Sequence, residues 1–299
     1  MRHRLEFLLV RIIRGWLRLL PMTAVRACGG ALGRLVYVID RFHRRIALEN
    51  LAQAFPSRTA EERRAVVRAM FMHFGRLLLE LIKFSTLTDD EILRSVEVEG
   101  EEHVRQAYQQ GHGVLLVTGH FGYWELQAIA LALRVEPISV LARPLDNPYL
   151  HETLERIRTR SGNTVIYRQG AVRKVLRALE ANHAVAFLID QHLHSDAVYV
   201  DFFNRPAATT SALAALALRT GAPVIPAFAL PIPGGRYRLV YERPVPPPRE
   251  GSPDAIREFT QRCTDVLEMY VRRDPHLWLW MHRRWRDPVP VHVAADEAH

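Results

Sequence analysis

Cysteine occurs only twice in the 299 residues, at Cys28 and Cys263. Two distant cysteines in no ligand-like spacing exclude a disulfide framework and suit a reducing compartment. Lysine is equally scarce: Lys83 and Lys174 are the only two among 40 basic residues. The formal net charge of +8 is therefore carried almost wholly by arginine, whose guanidinium fork pairs well with phosphates and carboxylates. Such a surface favours nucleic acid, an acidic membrane, an acidic protein or a phosphorylated small molecule. A coding bias towards arginine would give the same excess without any partner. Internal repeats and low-complexity segments are absent. In residues 4–20 arginines interrupt the apolar run well before the ~20 residues that span a bilayer. They also break any signal-peptide core, and no small-residue cleavage site follows.

What remains is a chain able to bury a large core, with 48% hydrophobic and 24% charged residues, as expected of a globular protein. Residues 4–20 place Arg4, Arg11, Arg14 and Arg18 on one helical stripe, with apolar side chains and Trp16 over most of the rest. That pattern suits a helix lying in a membrane interface, or equally a terminal helix packed on a core. Further arginines at positions 26, 34, 41, 44 and 45 would then face anionic headgroups. Pro21 ends this helix, residues 22–54 read as helical, and Thr59 to Glu62 forms a capping box opening a helix to about Phe84.

From about residue 96 short apolar runs alternate with helical stretches. Strands are expected at 113–118, 137–142, 164–167, 184–190, 223–229 and 236–242. Helices are expected at 101–110, 122–134, 147–160, 170–181, 210–220 and 253–273. The alternation predicts an α/β fold with a mainly parallel central sheet flanked by helices and a helical N-terminal extension. The expected division is a helical region over 1–95, an α/β domain over 96–287 and a loose tail over 288–299. Arg236 to Glu242 alternates as an edge or half-exposed strand would.

One stretch carries the chemistry: Val114-Leu-Leu-Val-Thr-Gly-His-Phe-Gly-Tyr-Trp-Glu-Leu126. An apolar strand turns at Gly119-His120 into a helical pattern that holds Glu125. Histidine exchanges protons near neutrality, and a carboxylate can fix its tautomer. Helix positions five apart point about 140° from each other. His120 must therefore precede the regular helix if Glu125 is to reach it. No serine or cysteine stands beside the pair, so the hydroxyl to be activated would belong to a substrate. Function gathers at the carboxyl ends of strands in open α/β sheets. Those ends hold His120, Arg143 and its Pro-Asn turn, Arg168, then Asp190-Gln191-His192, with Arg158 and Arg160 at the end of a helix. Arginines there would bind phosphate or steady an oxyanion. His192, His194, Asp196 and His120 suggest a metal set, but a single His-X-His pair is thin evidence. Pro275 to Arg286 holds three of the five tryptophans beside a basic cluster. That composition suits a membrane interface or single-stranded nucleic acid, and no RNP, KH or helix-turn-helix pattern supports the latter.

Thr118-Gly-His-Phe-Gly-Tyr-Trp-Glu125 resembles the His-X4-Asp/Glu motif of the lysophospholipid acyltransferase superfamily. It is most similar to the branch of bacterial lipid A biosynthesis (lauroyl and myristoyl) acyltransferases, with Tyr123 where Asn is commoner. Arg143-Pro-Leu-Asp-Asn-Pro, Arg160-Ser-Gly-Asn, Asp190-Gln, Phe202 to Thr210, Thr220 to Pro226 and Trp278 to Trp285 follow in family order. The resemblance spans roughly residues 5–286. It implies a glycerolipid acyltransferase-like fold and transfer of a fatty acyl chain from acyl carrier protein to a hydroxyl of a lipid A precursor. The expected seat is the cytoplasmic face of the inner membrane, with no cofactor, metal or acyl-enzyme. It implies that His120 deprotonates the hydroxyl and Glu125 orients His120. Arg160 would bind anionic groups or the oxyanion, Asp190 would support the site, and Arg143 and Gln191 complete the substrate-binding set. The expected partners are acyl carrier protein, an anionic glycolipid acceptor and membrane lipids, not nucleic acid. The same branch includes phosphatidylinositol mannoside acyltransferases, so another glycolipid or a lysophospholipid is an alternative acceptor. The remaining alternatives are a metal-dependent esterase and a membrane-binding protein without catalysis.

Overall fold

A computed structural model describes residues 2–193, 197–249, 252 and 254–286. The N-terminal part is helical: α1 (Arg2–Leu19), α2 (Met22–Ile39), α3 (Arg41–Ala54), α4 (Ala60–Phe84) and the short α5 (Asp89–Arg94). Thr59 and Glu62 form the expected capping box on α4. The chain then alternates: β1 (Val96–Glu99), α6 (Glu101–Gln109), β2 (Val114–Thr118), α7 (Trp124–Arg134), β3 (Ile138–Ala142), α8 (Pro148–Thr159), β4 (Thr164–Tyr167), α9 (Ala171–Glu180) and β5 (Ala184–Leu188). An antiparallel pair, β6 (Ala197–Asp201) and β7 (Pro206–Thr210), precedes α10 (Ala212–Thr220), β8 (Val224–Ile232), β9 (Arg236–Tyr241) and α11 (Ala255–Arg273).

The main sheet has the order β1-β9-β8-β2-β5-β3-β4. Every neighbouring pair is parallel except β8–β9. The fold is therefore α/β with a mostly parallel seven-stranded sheet, flanked by helices and preceded by a helical region, as expected. Strand β2 explains itself: all five residues of Val-Leu-Leu-Val-Thr are buried, because a central parallel strand is covered on both faces. It lies between β5 and β8, so its carboxyl end opens where the strand order changes direction. Strand β9 is half-exposed but not an edge; the four-residue β1, absent from the sequence-based expectation, takes the edge beside it.

Helices α3 and α4 share the core with the sheet. Leu51, Met70 and Phe71 pack in one cluster with Leu115, Val117, Phe121, Trp278 and Trp280. Helix α2 meets α4 backbone to backbone: a Cβ at Gly33 would lie 2.6 Å from Met72 Cα. Among the described residues α2 is the one helix long and apolar enough to cross a bilayer by length and composition, with 22% of it buried. Helix α1 has three faces. Leu17 is buried and Ile13 packs beside it, the arginine stripe is exposed, and Leu5, Leu8, Leu9, Ile12, Trp16 and Leu19 form a second, exposed apolar face. The helix thus packs inward through Leu17 and Ile13 and presents its other apolar residues outward. Residues 288–299 lie outside the described residues.

Candidate active site

The corner between β2 and α7 is built to hold one imidazole. Gly122 has φ 61°, and a Cβ there would collide with the Ala229 carbonyl oxygen, so only glycine turns the chain here. The Tyr123 amide donates to that same carbonyl at 2.9 Å, and the Gly122 amide donates to Leu277 O at 3.0 Å. The Leu279 amide in turn donates to His120 O at 3.1 Å. On the α4 side, buried His73 has Nε2 at 3.3 Å from Gly122 O. Burial pushes the pKa of His73 down to about 3, so its ring is neutral and can donate to that carbonyl.

His120 precedes α7, as the helical geometry requires, but its carboxylate partner is Asp190 and not Glu125. Its Nδ1 lies 2.9 Å from Asp190 Oδ1, and its own amide donates to Asp190 Oδ2 at 2.6 Å. The Trp278 indole N–H donates to the same Oδ2 at 2.8 Å. Asp190 is 2% exposed, and a Cβ at Gly119 would stand 2.9 Å from its Oδ2, so glycine admits the carboxylate. A carboxylate only accepts, so Nδ1 carries the proton and Nε2 keeps a free lone pair. Burial disfavours the imidazolium, but the charge and hydrogen bond of Asp190, aided by Glu125, outweigh it and raise the pKa of His120. Burial likewise opposes ionisation of Asp190, yet the adjacent His120 and the N–H donors hold its pKa down at about 2. The strand order supplies the reason for this partner. Strands β2 and β5 are neighbours, so the residue two places beyond β5 arrives beside the residue two places beyond β2.

Glu125 is buried in the first turn of α7 and is held by Arg158 on α8, whose Nε donates to Oε2 at 3.0 Å and whose Nη2 donates to Oε1. The pair lies close enough to His120 for both charges to act on it, Glu125 raising and Arg158 lowering its pKa. The expectation that Glu125 orients the imidazole directly is corrected: it fixes a guanidinium beside the imidazole. Gln191 does come to the site, with its Nε2 at 3.4 Å from His120 Nε2 and 3.5 Å from His282 Nε2. His282 faces His120 with ring centroids 5.3 Å apart. Burial, then the neighbouring His120, lowers its pKa. Its segment is tied to α3 by Asn50, whose Nδ2 donates to Trp280 O at 2.8 Å and His282 O at 2.7 Å.

Arg160 and Arg143 do not join His120. Arg160 donates to Phe84 O at 2.7 Å, Leu87 O at 2.9 Å and Asp89 Oδ1 at 2.7 Å, bracing the turn after α4. Arg143 is exposed beside Asp146. The tryptophans of Pro275 to Arg286 pack on the core and do not form a membrane belt: Trp278 and Trp280 are fully buried, Trp285 is partly buried against the same cluster, and buried Arg284 donates to Ala208 O and Thr209 Oγ1. His194 and Asp196, named for a metal, lie outside the described residues. Among the described residues no group of three or more His, Cys, Asp or Glu side chains could hold a metal ion.

The side chain of His120 keeps 18% of its surface exposed. A buried carboxylate behind an imidazole with an outward lone pair is the arrangement that takes a proton from a hydroxyl and returns it. Among the described residues no serine hydroxyl or cysteine thiol hydrogen-bonds to that nitrogen, and its polar neighbour is Gln191.

Comparison with known proteins agrees with the family resemblance. The family model for bacterial lipid A biosynthesis acyltransferases matches residues 1–287. The lipid A biosynthesis lauroyltransferase of Escherichia coli K12 is 29% identical over 89% of this chain and 87% of its own. The palmitoleoyltransferase of the same organism is 27% identical over 91% and 87%. A phosphatidylinositol mannoside acyltransferase of Mycolicibacterium smegmatis is 22% identical over 79% and 77%. The chain belongs to the bacterial lipid A biosynthesis acyltransferase family and is an acyltransferase.

Proposed function

We propose that this enzyme moves a fatty acyl chain from the thioester of acyl carrier protein to a hydroxyl of a lipid A precursor at the cytoplasmic face of the inner membrane. The observation that carries the reading is the Asp190–His120 pair with Nε2 turned outward. His120 Nε2 takes the hydroxyl proton as the oxygen attacks the thioester carbonyl. Asp190 stabilises the imidazolium that forms. When the tetrahedral intermediate collapses, the C–S bond breaks and the imidazolium returns its proton to the leaving thiolate. The products are an ester and a free thiol, and no acyl group is ever held by the protein. Gln191, the rim residue nearest Nε2, must be displaced by the incoming hydroxyl. Its amide is then free to donate to the developing oxyanion.

Support for the donor is electrostatic: a net charge of +8 carried by arginine suits an acidic carrier protein. Support for the membrane seat is the exposed apolar face of α1 with Trp16 at 68% exposure, together with exposed Leu35, Val38, Ile39 and Phe42 around the end of α2. The test is mass spectrometry of membrane lipids with and without the gene, followed by transfer assays with carrier-protein and coenzyme A thioesters. Loss of one acyl chain from lipid A in the deletion is the expected result. Unchanged lipid A with a missing chain on another glycolipid would reassign the acceptor, and no change in any lipid would refute the reading.

A further inference from the structure

A cavity of about 550 Å³ opens between α1, the turn following α4, and α8. That size is ordinary for a small-molecule site, which typically encloses roughly 300–1,000 Å³. Four arginines line it, Arg11, Arg14, Arg156 and Arg160, over an apolar floor that includes Phe7 and Ile157. Their pairing is uneven. Arg160 is held by two carbonyls and Asp89 through its Nη atoms. Arg156 stands 3.8 Å from Glu152, with both side chains two-thirds exposed, an arrangement of little energetic weight. Arg11 and Arg14 have no carboxylate partner among the described residues; Arg11 lies 5.8 Å from the Phe7 ring centroid. The cavity therefore gathers four guanidiniums against two carboxylates, and free forks converge on a concave surface. Guanidiniums so placed bind a phosphate by charge-assisted, bidentate hydrogen bonds.

Position narrows the ligand. Helix α1 carries Arg11 and Arg14 next to its exposed apolar residues Leu8, Ile12 and Trp16, so the cavity opens beside the surface that would meet lipid. Helix α4 links it to the catalytic corner, with His73 at Gly122 O and Ser85 on the cavity wall. Helix α8 links them too: Arg156 and Ile157 line the cavity, and Arg158 holds Glu125 beside His120.

We propose that this arginine-lined cavity binds a phosphate group of a membrane lipid through Arg11, Arg14 and Arg156, with Arg160 as its fixed wall. The phosphate belongs either to the glycolipid acceptor, a case that rests on the function proposed above, or to a neighbouring anionic phospholipid. The test pairs Arg11→Gln/Arg14→Gln with a control of equal charge loss outside the cavity, Arg64→Gln/Arg68→Gln. In nonionic detergent, kcat/KM is measured on a phosphorylated acceptor and on the same acceptor after phosphatase treatment. Separately, binding to phosphatidylcholine vesicles with and without phosphatidylglycerol is measured by sedimentation, which needs no turnover. If the acceptor supplies the phosphate, the cavity variant loses about tenfold of its preference for the phosphorylated acceptor, and the control keeps it. If a phospholipid supplies it, that preference holds and the cavity variant loses about tenfold more binding to phosphatidylglycerol vesicles than the control. Either result supports the site. Equal behaviour of the two variants in both arms would overturn it. Failure of the function reading would show separately, as absent turnover in the unmodified enzyme while the vesicle arm still reports on the cavity.

Discussion

Replacing Asp190 with Asn should lower kcat by about 10⁴-fold while the protein stays folded. The reason lies in the donors around the carboxylate. Oδ2 accepts from the His120 amide at 2.6 Å and the Trp278 indole at 2.8 Å, while Oδ1 faces His120 Nδ1 at 2.9 Å. Asn offers one acceptor oxygen. The backbone and indole N–H groups cannot reverse their roles, so the oxygen must serve them and the amide NH₂ must face Nδ1. The imidazole then accepts at Nδ1 and carries its proton on Nε2, where it can no longer take one from a hydroxyl. The same tautomer trap in a serine protease triad costs about 10⁴ in kcat, or about 5.5 kcal/mol at 1.36 kcal/mol per decade. Stability should fall by less, about 1–3 kcal/mol for one mismatched buried partner. The assay is the initial rate of ester formation from an acyl thioester, beside thermal melts and ¹⁵N spectra of the His120 ring. The acidic limb of the pH–rate profile adds a check. Burial lowers the His120 pKa but Asp190 outweighs it, so the wild-type limb lies above the ordinary value of about 6.5. Removing the Asp190 charge leaves burial dominant and moves whatever activity remains to lower pH. Glu125→Gln is the contrast. It strips the partner from Arg158 and costs about 3 kcal/mol of stability, but it leaves the proton on Nδ1. Activity of Asp190→Asn within tenfold of wild type, or tautomer reversal in Glu125→Gln, would refute the reasoning.

Gly122→Ala should abolish activity and lower the melting temperature, because its Cβ would strike the Ala229 carbonyl at a left-handed φ; a normal melt with full activity would contradict this. His73 is neutral in the fold, with its pKa pushed down to about 3 by burial against about 6.5 unfolded. The folded value is the lower one, so its contribution is complete above about pH 6.5 and is lost as pH falls towards 3, at up to about 1.4 kcal/mol per unit. Urea midpoints at pH 7 and pH 5 should therefore drop further in the wild type than in His73→Gln, and equal drops would count against a buried neutral His73. Leu9→Glu/Trp16→Glu, both on the exposed apolar face of α1, should release the protein from vesicles without unfolding it. Retained vesicle binding would move the membrane contact elsewhere.

The sheet was legible because its strands are apolar runs bounded by glycine, proline or polar turns. β2, β3, β4, β5, β8 and β9 fall within two or three residues of expectation. β1 was hidden by its four residues, two of them glutamates. β6 and β7 were hidden because Pro206, Asn204 and Arg205 read as loop. His120 could be read from its place at a strand end. Its carboxylate could not be chosen from spacing, since Glu125 and Asp190 both sit at suitable ends. What decides between them is that β5 pairs with β2, a fact of topology that periodicity does not carry. The Trp278 to Arg284 segment misled for a related reason. Tryptophan beside arginine has the composition of a membrane belt, but here the indoles fill the core and one N–H serves Asp190. His282 lies at the imidazole on a C-terminal segment that Asn50 holds against α3, whereas Gln191 arrives as the neighbour of Asp190 beyond β5.

Single-turnover transfer from a radiolabelled acyl thioester to a glycolipid acceptor, run on wild type and His120→Ala at equal membrane binding, tests the central claim most directly. The account predicts rapid ester formation by wild type with no label on the protein, and a loss of at least about 10³-fold in the variant. Undiminished transfer by His120→Ala, or label trapped on the wild-type chain, would contradict it.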